Sequence, residues 1–556
     1  MALVAVSIAT LAYPCARCAF NMSYATLGRD TGIYQFVAWA MNHGQRPYVD
    51  IRENNGPLIY LFHEAYLALG GADERVVRVA DMSVQAAAYV IAGVVAYGPW
   101  SSPTPTRRQE AIGRAAFAAL GLLVLLSQYF VYDWWGTAQR ESTYDAVLLA
   151  GLALQLRAHQ RLAAAEDGVP AARGIVALLV ASGALVGATW FGKPTYLACT
   201  AAQVACVVLD PTARQRSRRV LLALGAGAVA SATFFVCWIA VHGDLAAYVR
   251  IVILEAPTYY VPVWRQTLES CYTLGHNGPL VNLGAVTLVT LGALWAAKVL
   301  PRSFAIGLVP VAFGLASFFA QRKGFLYHLH PVTAGAHFAW VMFLGWACDR
   351  LRAPRPAWLI VAFALVWGLV LAQCFGDATV TDYYDAEWMP AGERPDTRET
   401  PGFYHSFHAR DFDGWEVRRA AKFLAAHTPK DGAVQVYGIE PYILFLAERR
   451  TATPYIYAYD LNMDPALEGG PGGKPGAADA ARIRELQARN AADFDARLRA
   501  HPPSAFVLID SAPMAYAPDA LADLRSHCAR AAEFVDARYE EVARFATLRV
   551  FLPKAR

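Results

Sequence analysis

Long apolar runs broken by short polar stretches fill the chain as far as Phe375, and beyond Gly376 the pattern changes to Asp, Glu, Arg and Pro mixed throughout. A hydrocarbon core about 30 Å thick takes roughly 20 apolar residues per helix. On that measure the expected spans are Ala2–Phe20, Arg75–Tyr97, Ala111–Phe130, Tyr144–Leu156, Gly174–Phe191, Pro194–Leu209, Val220–Val241, Leu280–Ala297, Phe304–Ala320, Val332–Cys348 and Trp358–Phe375. Residues 1–375 are therefore expected to form a polytopic α-helical membrane module of about eleven helices, with Tyr144–Leu156 the shortest. The first polar break is too long for a simple connection. Ile33, Phe36, Val37, Ala40 and Met41 follow a helical period that Gly44 and Pro47 stop, and Pro57 opens a second helix closed by Gly70 and Gly71. Helices this short cannot span, so the pair around residues 31–70 is expected to lie in the headgroup plane at the outer face.

The polar tail, 376–556, has the size of one domain. Val434–Tyr437 and Ala505–Ile509 read as buried strands, with amphipathic helices at Asp413–His427 and Ala477–Ala500 and a Gly/Pro-rich loop at Leu467–Gly476. A small soluble α/β domain is expected. Tyr437, Tyr442, Tyr455, Tyr457 and Tyr459 could form a sugar platform, but a packed core is the more economical reading.

Charge adds orientation. The net charge of +4 says little, but Arg107 and Arg108, Arg157, Arg161 and Arg173, Arg214 to Arg219, Lys298 and Arg302, and Arg350, Arg352 and Arg355 all fall in alternate breaks. The other breaks are mixed or acidic. The positive-inside rule then puts the N-terminus in the cytoplasm and the tail outside, in the periplasm if this is a bacterial inner membrane. No nucleic-acid partner is expected. The first apolar run has no basic n-region and no cleavage site, so it reads as a retained helix. Of the nine cysteines, Cys15 and Cys18 form a C-x-x-C inside an apolar run, which is a matter of packing. Cys271 and Cys528 would share an oxidising compartment, where pairing is the weaker reading. No zinc spacing occurs.

Ionisable residues near a bilayer are costly, so those at span ends are candidates for function. Four clusters fall on the outer side: Arg29–Asp30 with Asp50 and Glu53; Asp133 with Arg140 and Glu141; Lys193; and Arg322–Lys323 with Tyr327, His328 and His330. Cations and carboxylates at one depth suit a phosphate-linked sugar at the interface. The stretch Arg29-Asp-Thr-Gly-Ile-Tyr, with Gly44-Gln-Arg-Pro-Tyr-Val-Asp50 and Glu53-Asn-Asn-Gly-Pro57-Leu, resembles the first outer loop of bacterial GT-C glycosyltransferases of the protein-mannosyltransferase and aminoarabinose-transferase-like group (glycosyltransferase family 39-like). Gln139-Arg-Glu141, Gly192-Lys-Pro-Thr195 and Gln321-Arg-Lys-Gly-Phe-Leu-Tyr-His328 extend the likeness over about two-thirds of the chain. The chain departs from it at Asn55-Gly56-Pro57, where relatives often carry Lys beside Pro-Pro.

The resemblance implies a polyprenyl-phosphate-linked sugar as donor and inverting transfer to a hydroxyl of an extracytoplasmic glycolipid, polysaccharide or protein. It implies Asp30 as general base, with Arg322, Lys323, Lys193 and His328 at the donor phosphate and Asp50, Glu53, Arg140, Glu141 and Tyr327 at the substrate. Each residue also has a structural reading. Asp30 suits the N-cap of the following helix, Glu141 could pair with Arg140, Lys193, Arg322 and Lys323 could mark span ends, and His328 and His330 could make ordinary hydrogen bonds. Asp30, Asp50 and Glu53 could hold a divalent cation, although no ligand spacing asks for one. A lipid or polysaccharide transporter and a non-catalytic assembly subunit are the competing functions.

Overall fold

The structure is a computed structural model describing residues 1–98, 106–164, 172–351, 356–379, 412–515 and 517–555. Two of the basic residues used for orientation, Arg352 and Arg355, lie outside the described residues. Among those described, eight helices are long and apolar enough to cross a membrane: Ala2–Tyr24, Glu74–Ala96, Arg107–Phe130, Arg173–Trp190, Ser217–His242, Asn277–Ala296, Arg302–Gln321 and Ala357–Thr379. The protein is thus a multi-pass membrane protein.

The other three expected spans are helical too, and each misses the criterion for a physical reason. Leu197–Leu209, entered through a 3-10 turn at Pro194–Tyr196, has 13 residues and rises only about 20 Å. Arg140–Ala164 and His330–Arg350 are long enough but carry polar side chains. His330–Arg350 is buried along almost its whole length, and a helix enclosed by other helices can hold polar residues that lipid would not accept.

Contacts divide the chain into two units, Met1–Ala25, Arg78–Phe235 and Ser270–Asp385 in one, and Thr26–Val77, Val236–Glu269 and Ala386–Arg556 in the other. This differs from a cut at residue 375, because hydropathy reports the solvent a segment prefers and not the residues it touches. The helical unit closes through small residues, as membrane helices do. A Cβ on Gly93 would sit 2.1 Å from Phe117 O, and one on Gly121 would sit 2.5 Å from Gly93 Cα, so the Glu74–Ala96 and Arg107–Phe130 helices meet backbone to backbone.

In the second unit the first-loop helices run Arg29–Asn42 and Pro57–Gly70, with Pro57 at the first turn of the latter. The former is buried on most sides and packs on the Tyr442–Ala447 helix, with Gly32 against the Tyr442 ring. Protein covers the apolar face that the sequence assigned to the headgroup plane, whereas the second helix keeps Leu69 exposed. The tail carries a five-stranded mixed sheet of β1 (Ala433–Tyr437), β2 (Arg450–Thr451), β3 (Ala505–Ile509), β4 (Tyr539–Phe545) and β5 (Leu548–Pro553) in the order β2-β1-β3-β5-β4. β1 pairs in parallel with β2 and β3, and β5 runs antiparallel to β3 and β4. The expected helices are present as Gly414–His427, capped by Asp413, and Ala477–Ala500. Cys271 and Cys528 are not bridged and belong to different units.

Candidate functional site

In the helical unit, Glu141 opens the helix Arg140–Ala164, and its Oε1 is the convergence point of three residues distant in sequence. Lys193 Nζ donates to it at 2.9 Å, Arg140 Nε at 3.2 Å, and His328 Nε2 stands 3.6 Å away. The last distance is beyond hydrogen-bonding range. Among the described residues, Glu141 Oε2 and both His328 ring nitrogens bond no other group. An ammonium has three donors and Glu141 takes one. Burial lowers the Lys193 pKa and the neighbouring carboxylate pulls it back; burial and the Lys193 charge hold His328 well below the usual imidazole value. A neutral imidazole with an open acceptor, an ammonium with open donors and a carboxylate with an open oxygen therefore share one buried patch. Such a patch can hold an anion through its cations and a hydroxyl through its carboxylate.

Each member is placed by a different device. Lys193 sits in the turn that Pro194 forces between two helices. His328 lies in the 3-10 turn Leu326–Leu329, reached through a chain reversal in which Arg322 adopts a left-handed φ of 50°. Asn277 Nδ2 holds that reversal by donating to Gly324 O at 2.8 Å. Lys323 on the same reversal is buried, and desolvation lowers its pKa to about 7. Tyr327 packs against Phe325 and His328. His330 is structural, stacked on Tyr132 with centroids 3.6 Å apart and bonded to Gly136 O. Asp133 accepts from the Trp135 and Gly136 N–H groups of its own turn, and burial raises its pKa to about 6.

The first-loop residues belong to the other unit and take different roles. Asp30 lies in the first turn of its helix, half-buried, while Gly28 occupies the cap position and no side chain caps it. The expected N-cap role is corrected: the helix begins two residues earlier than the apolar period indicates. Glu53 is fully buried and clasps the loop, Oε1 accepting from Asn54 N, Asn55 N and Asn55 Nδ2 and Oε2 from Tyr457 Oη at 2.6 Å. Burial raises its pKa against these donors. Asp50 closes a turn with Arg46 N at 2.8 Å. Among the described residues, no group of three or more His, Cys, Asp or Glu is placed to hold a metal ion. The five tail tyrosines are core, each at most 5% exposed; Tyr437, Tyr455 and Tyr457 bond carboxylates.

Several buried polar residues were not among the candidate site residues. Asp145 lies one helical turn beyond Glu141 and accepts from Tyr196 Oη at 2.8 Å. Arg78 donates to Trp134 O at 2.8 Å and to Thr137 Oγ1, tying down the turn before Glu141. Asp81 accepts from Tyr129, and His337 bonds Asp377 at 2.9 Å. Their signal was a charge inside an apolar window, which averaging over a window conceals.

The arrangement is that of a multi-pass membrane protein with the GT-C fold, the fold that the first-loop resemblance implies. Over 99% of this chain and 98% of the other, it is similar to the crystal structure of ArnT from Cupriavidus metallidurans bound to undecaprenyl phosphate, with a TM-score of 0.54 and 17% identity. The apo structure of that ArnT matches over the same shares at 0.53 and 16%. The Archaeoglobus fulgidus oligosaccharyltransferase in the apo form matches 91% of this chain and 70% of its own at 0.45 and 13%. No protein-family model and no curated protein sequence matches the chain.

Proposed function

We propose that the protein is a GT-C-type glycosyltransferase that moves a sugar from a polyprenyl-phosphate donor to a hydroxyl acceptor outside the cytoplasm. The observation that carries the reading is the convergence of Arg140, Lys193 and His328 on Glu141, within the fold of an ArnT whose crystal structure holds undecaprenyl phosphate. Lys193, Arg140 and Lys323, with Arg322 on the same reversal, bind the donor phosphate and stabilise the charge that grows on it as the glycosidic bond breaks. Neutral His328 donates a hydrogen bond to a phosphate oxygen. Glu141, through its open oxygen, accepts from a substrate hydroxyl. Asp30 takes the proton of the acceptor hydroxyl, whose oxygen attacks the anomeric carbon with inversion while the polyprenyl phosphate leaves. General-base assistance of this kind supplies about two to four orders of magnitude in rate.

Orientation supports the same reading. The Arg140–Ala164 helix carries the cluster at its start and Arg157 and Arg161 near its end, some 20 residues or about 30 Å apart. That separation matches a hydrocarbon core, which supports a cluster on the face opposite the basic loops, outside the cytoplasm in a bacterial inner membrane. Asp30→Asn is expected to abolish transfer while leaving membrane insertion intact. Mass spectrometry of lipids that co-purify with the wild type and this variant tests donor and base together. A polyprenyl-phosphate sugar enriched on the variant supports the assignment; near-normal turnover by the variant removes Asp30 from the role.

A further inference from the structure

The connection between the Ser217–His242 and Asn277–Ala296 helices holds a second feature with chemistry of its own. After Gly243 and Asp244 the chain re-enters helix at Leu245–Tyr248, continues through a π-helical turn at Val249–Glu255 and ends at Ala256–Tyr260. One face is fixed to its own unit. Tyr248 meets Tyr48 edge to face with centroids 5.0 Å apart, and Glu255 accepts from Arg52 Nη2 at 2.8 Å and from Arg489. Tyr259 Oη donates to Asp460, and Gly472 N donates to Arg265 O at 2.7 Å just beyond. The opposite face is apolar, with Leu245, Val249, Ile253 and Leu254 all exposed, Leu254 by 63%. The wide π turn aims Ile253 and Leu254 outward together while Glu255 points in.

We infer that this outward face of residues 245–254 is a lipid-binding surface seated in the outer leaflet of the bilayer. Three observations select lipid over water or another protein. First, the surface continues the end of a membrane-spanning helix: only two residues separate it from His242, and the last turns of that helix, in the same unit, expose Val236 and Val241. Second, the tail of the same unit treats water differently. Among the described residues of 412–555, Val542 is the one large apolar side chain left exposed. A contiguous apolar face on a unit whose tail hides such residues marks an interaction site. Third, Arg250 interrupts the face and is itself exposed, reaching Glu255 only at 3.9 Å. An arginine among apolar residues can lay its stem along acyl chains and present its guanidinium to phospholipid phosphates. The hydrophobic period did not reveal this helix because both of its faces are apolar.

The test uses the full-length protein in phospholipid nanodiscs, with Cys237, an exposed native thiol, changed to Ser. An environment-sensitive fluorophore is attached at Leu254→Cys, or at Arg484→Cys on the exposed side of the Ala477–Ala500 helix in the same unit. The expected result is blue-shifted emission at 254, with quenching by doxyl-labelled lipid at least about threefold stronger than at 484 and weak quenching by aqueous iodide. Strong iodide quenching at 254 with no lipid quenching would place the face in water and overturn the inference. Protection from both quenchers would show that protein covers it, and would overturn the inference equally. Neither outcome depends on glycosyl transfer.

Discussion

Glu141 concentrates the electrostatics of the candidate site, since one of its oxygens faces Lys193, Arg140 and His328 at once. Removing its charge leaves two largely buried cations, Lys193 and Arg140, without their buried counter-ion. Breaking a buried pair from one side typically costs about 3–5 kcal/mol. Glu141→Gln is therefore expected to lower stability by about 3 kcal/mol as well as transfer, and thermal unfolding in detergent measures the first independently of the second. Lys323 gives the site a pH dependence of defined sign. Its pKa of about 7 in the folded protein lies below the ordinary 10.5, so between these values the unfolded chain holds a proton that the folded one has released. The stability this group contributes therefore rises as pH increases through that window. Anion binding runs the other way, because only the protonated ammonium attracts phosphate. Affinity for polyprenyl phosphate is expected to fall by up to about tenfold per pH unit above 7. In Lys323→Arg, whose guanidinium stays charged, titration calorimetry should find the dependence flattened.

At the scale of elements, the first outer loop shows how a correct helix prediction can carry an incomplete environment. Pro57, Gly44 and Gly70 delimit both helices as the sequence indicates, yet the partner of the first is the Tyr442–Ala447 helix about 400 residues later. Gly32 permits that approach: a Cβ there would lie 2.5 Å from the Tyr442 ring. Gly32→Val is expected to overpack this contact and destabilise the second unit by about 1–3 kcal/mol. Limited proteolysis of the purified protein checks it, through faster cleavage in the tail than in the helical unit. The three less apolar helices make the complementary point. His330–Arg350 carries His330, Thr333 and His337 because protein surrounds it, so hydropathy understates it.

For the whole molecule, the basic loops and the Glu141 cluster lie at opposite ends of the same helices, which predicts one orientation. Lys474→Cys, exposed in the tail, should react with a membrane-impermeant maleimide in intact cells. Arg108→Cys, exposed at the start of the Arg107–Phe130 helix, should react only after permeabilisation. The reverse pattern would invert the topology and place the candidate site in the cytoplasm, where a donor displayed on the outer leaflet could not reach it. Division into two units also separates the candidate residues, with Arg140, Glu141, Lys193 and His328 in one and Asp30, Asp50 and Glu53 in the other.

The apolar runs, the placement of basic residues and the Gly and Pro punctuation were enough to read a multi-pass membrane protein with an α/β tail, because lipid and backbone geometry act on each segment locally. Strands β1 and β3 and the Ala477–Ala500 helix were legible for the same reason. Tertiary structure alone decided that Glu53 clasps a loop through Tyr457, that Asp145 meets Tyr196, and that Lys193 and His328 share one carboxylate. These relations join side chains about 50 to 400 residues apart. No local periodicity encodes them: they arise when burial removes water and each polar group must find its partner across the fold.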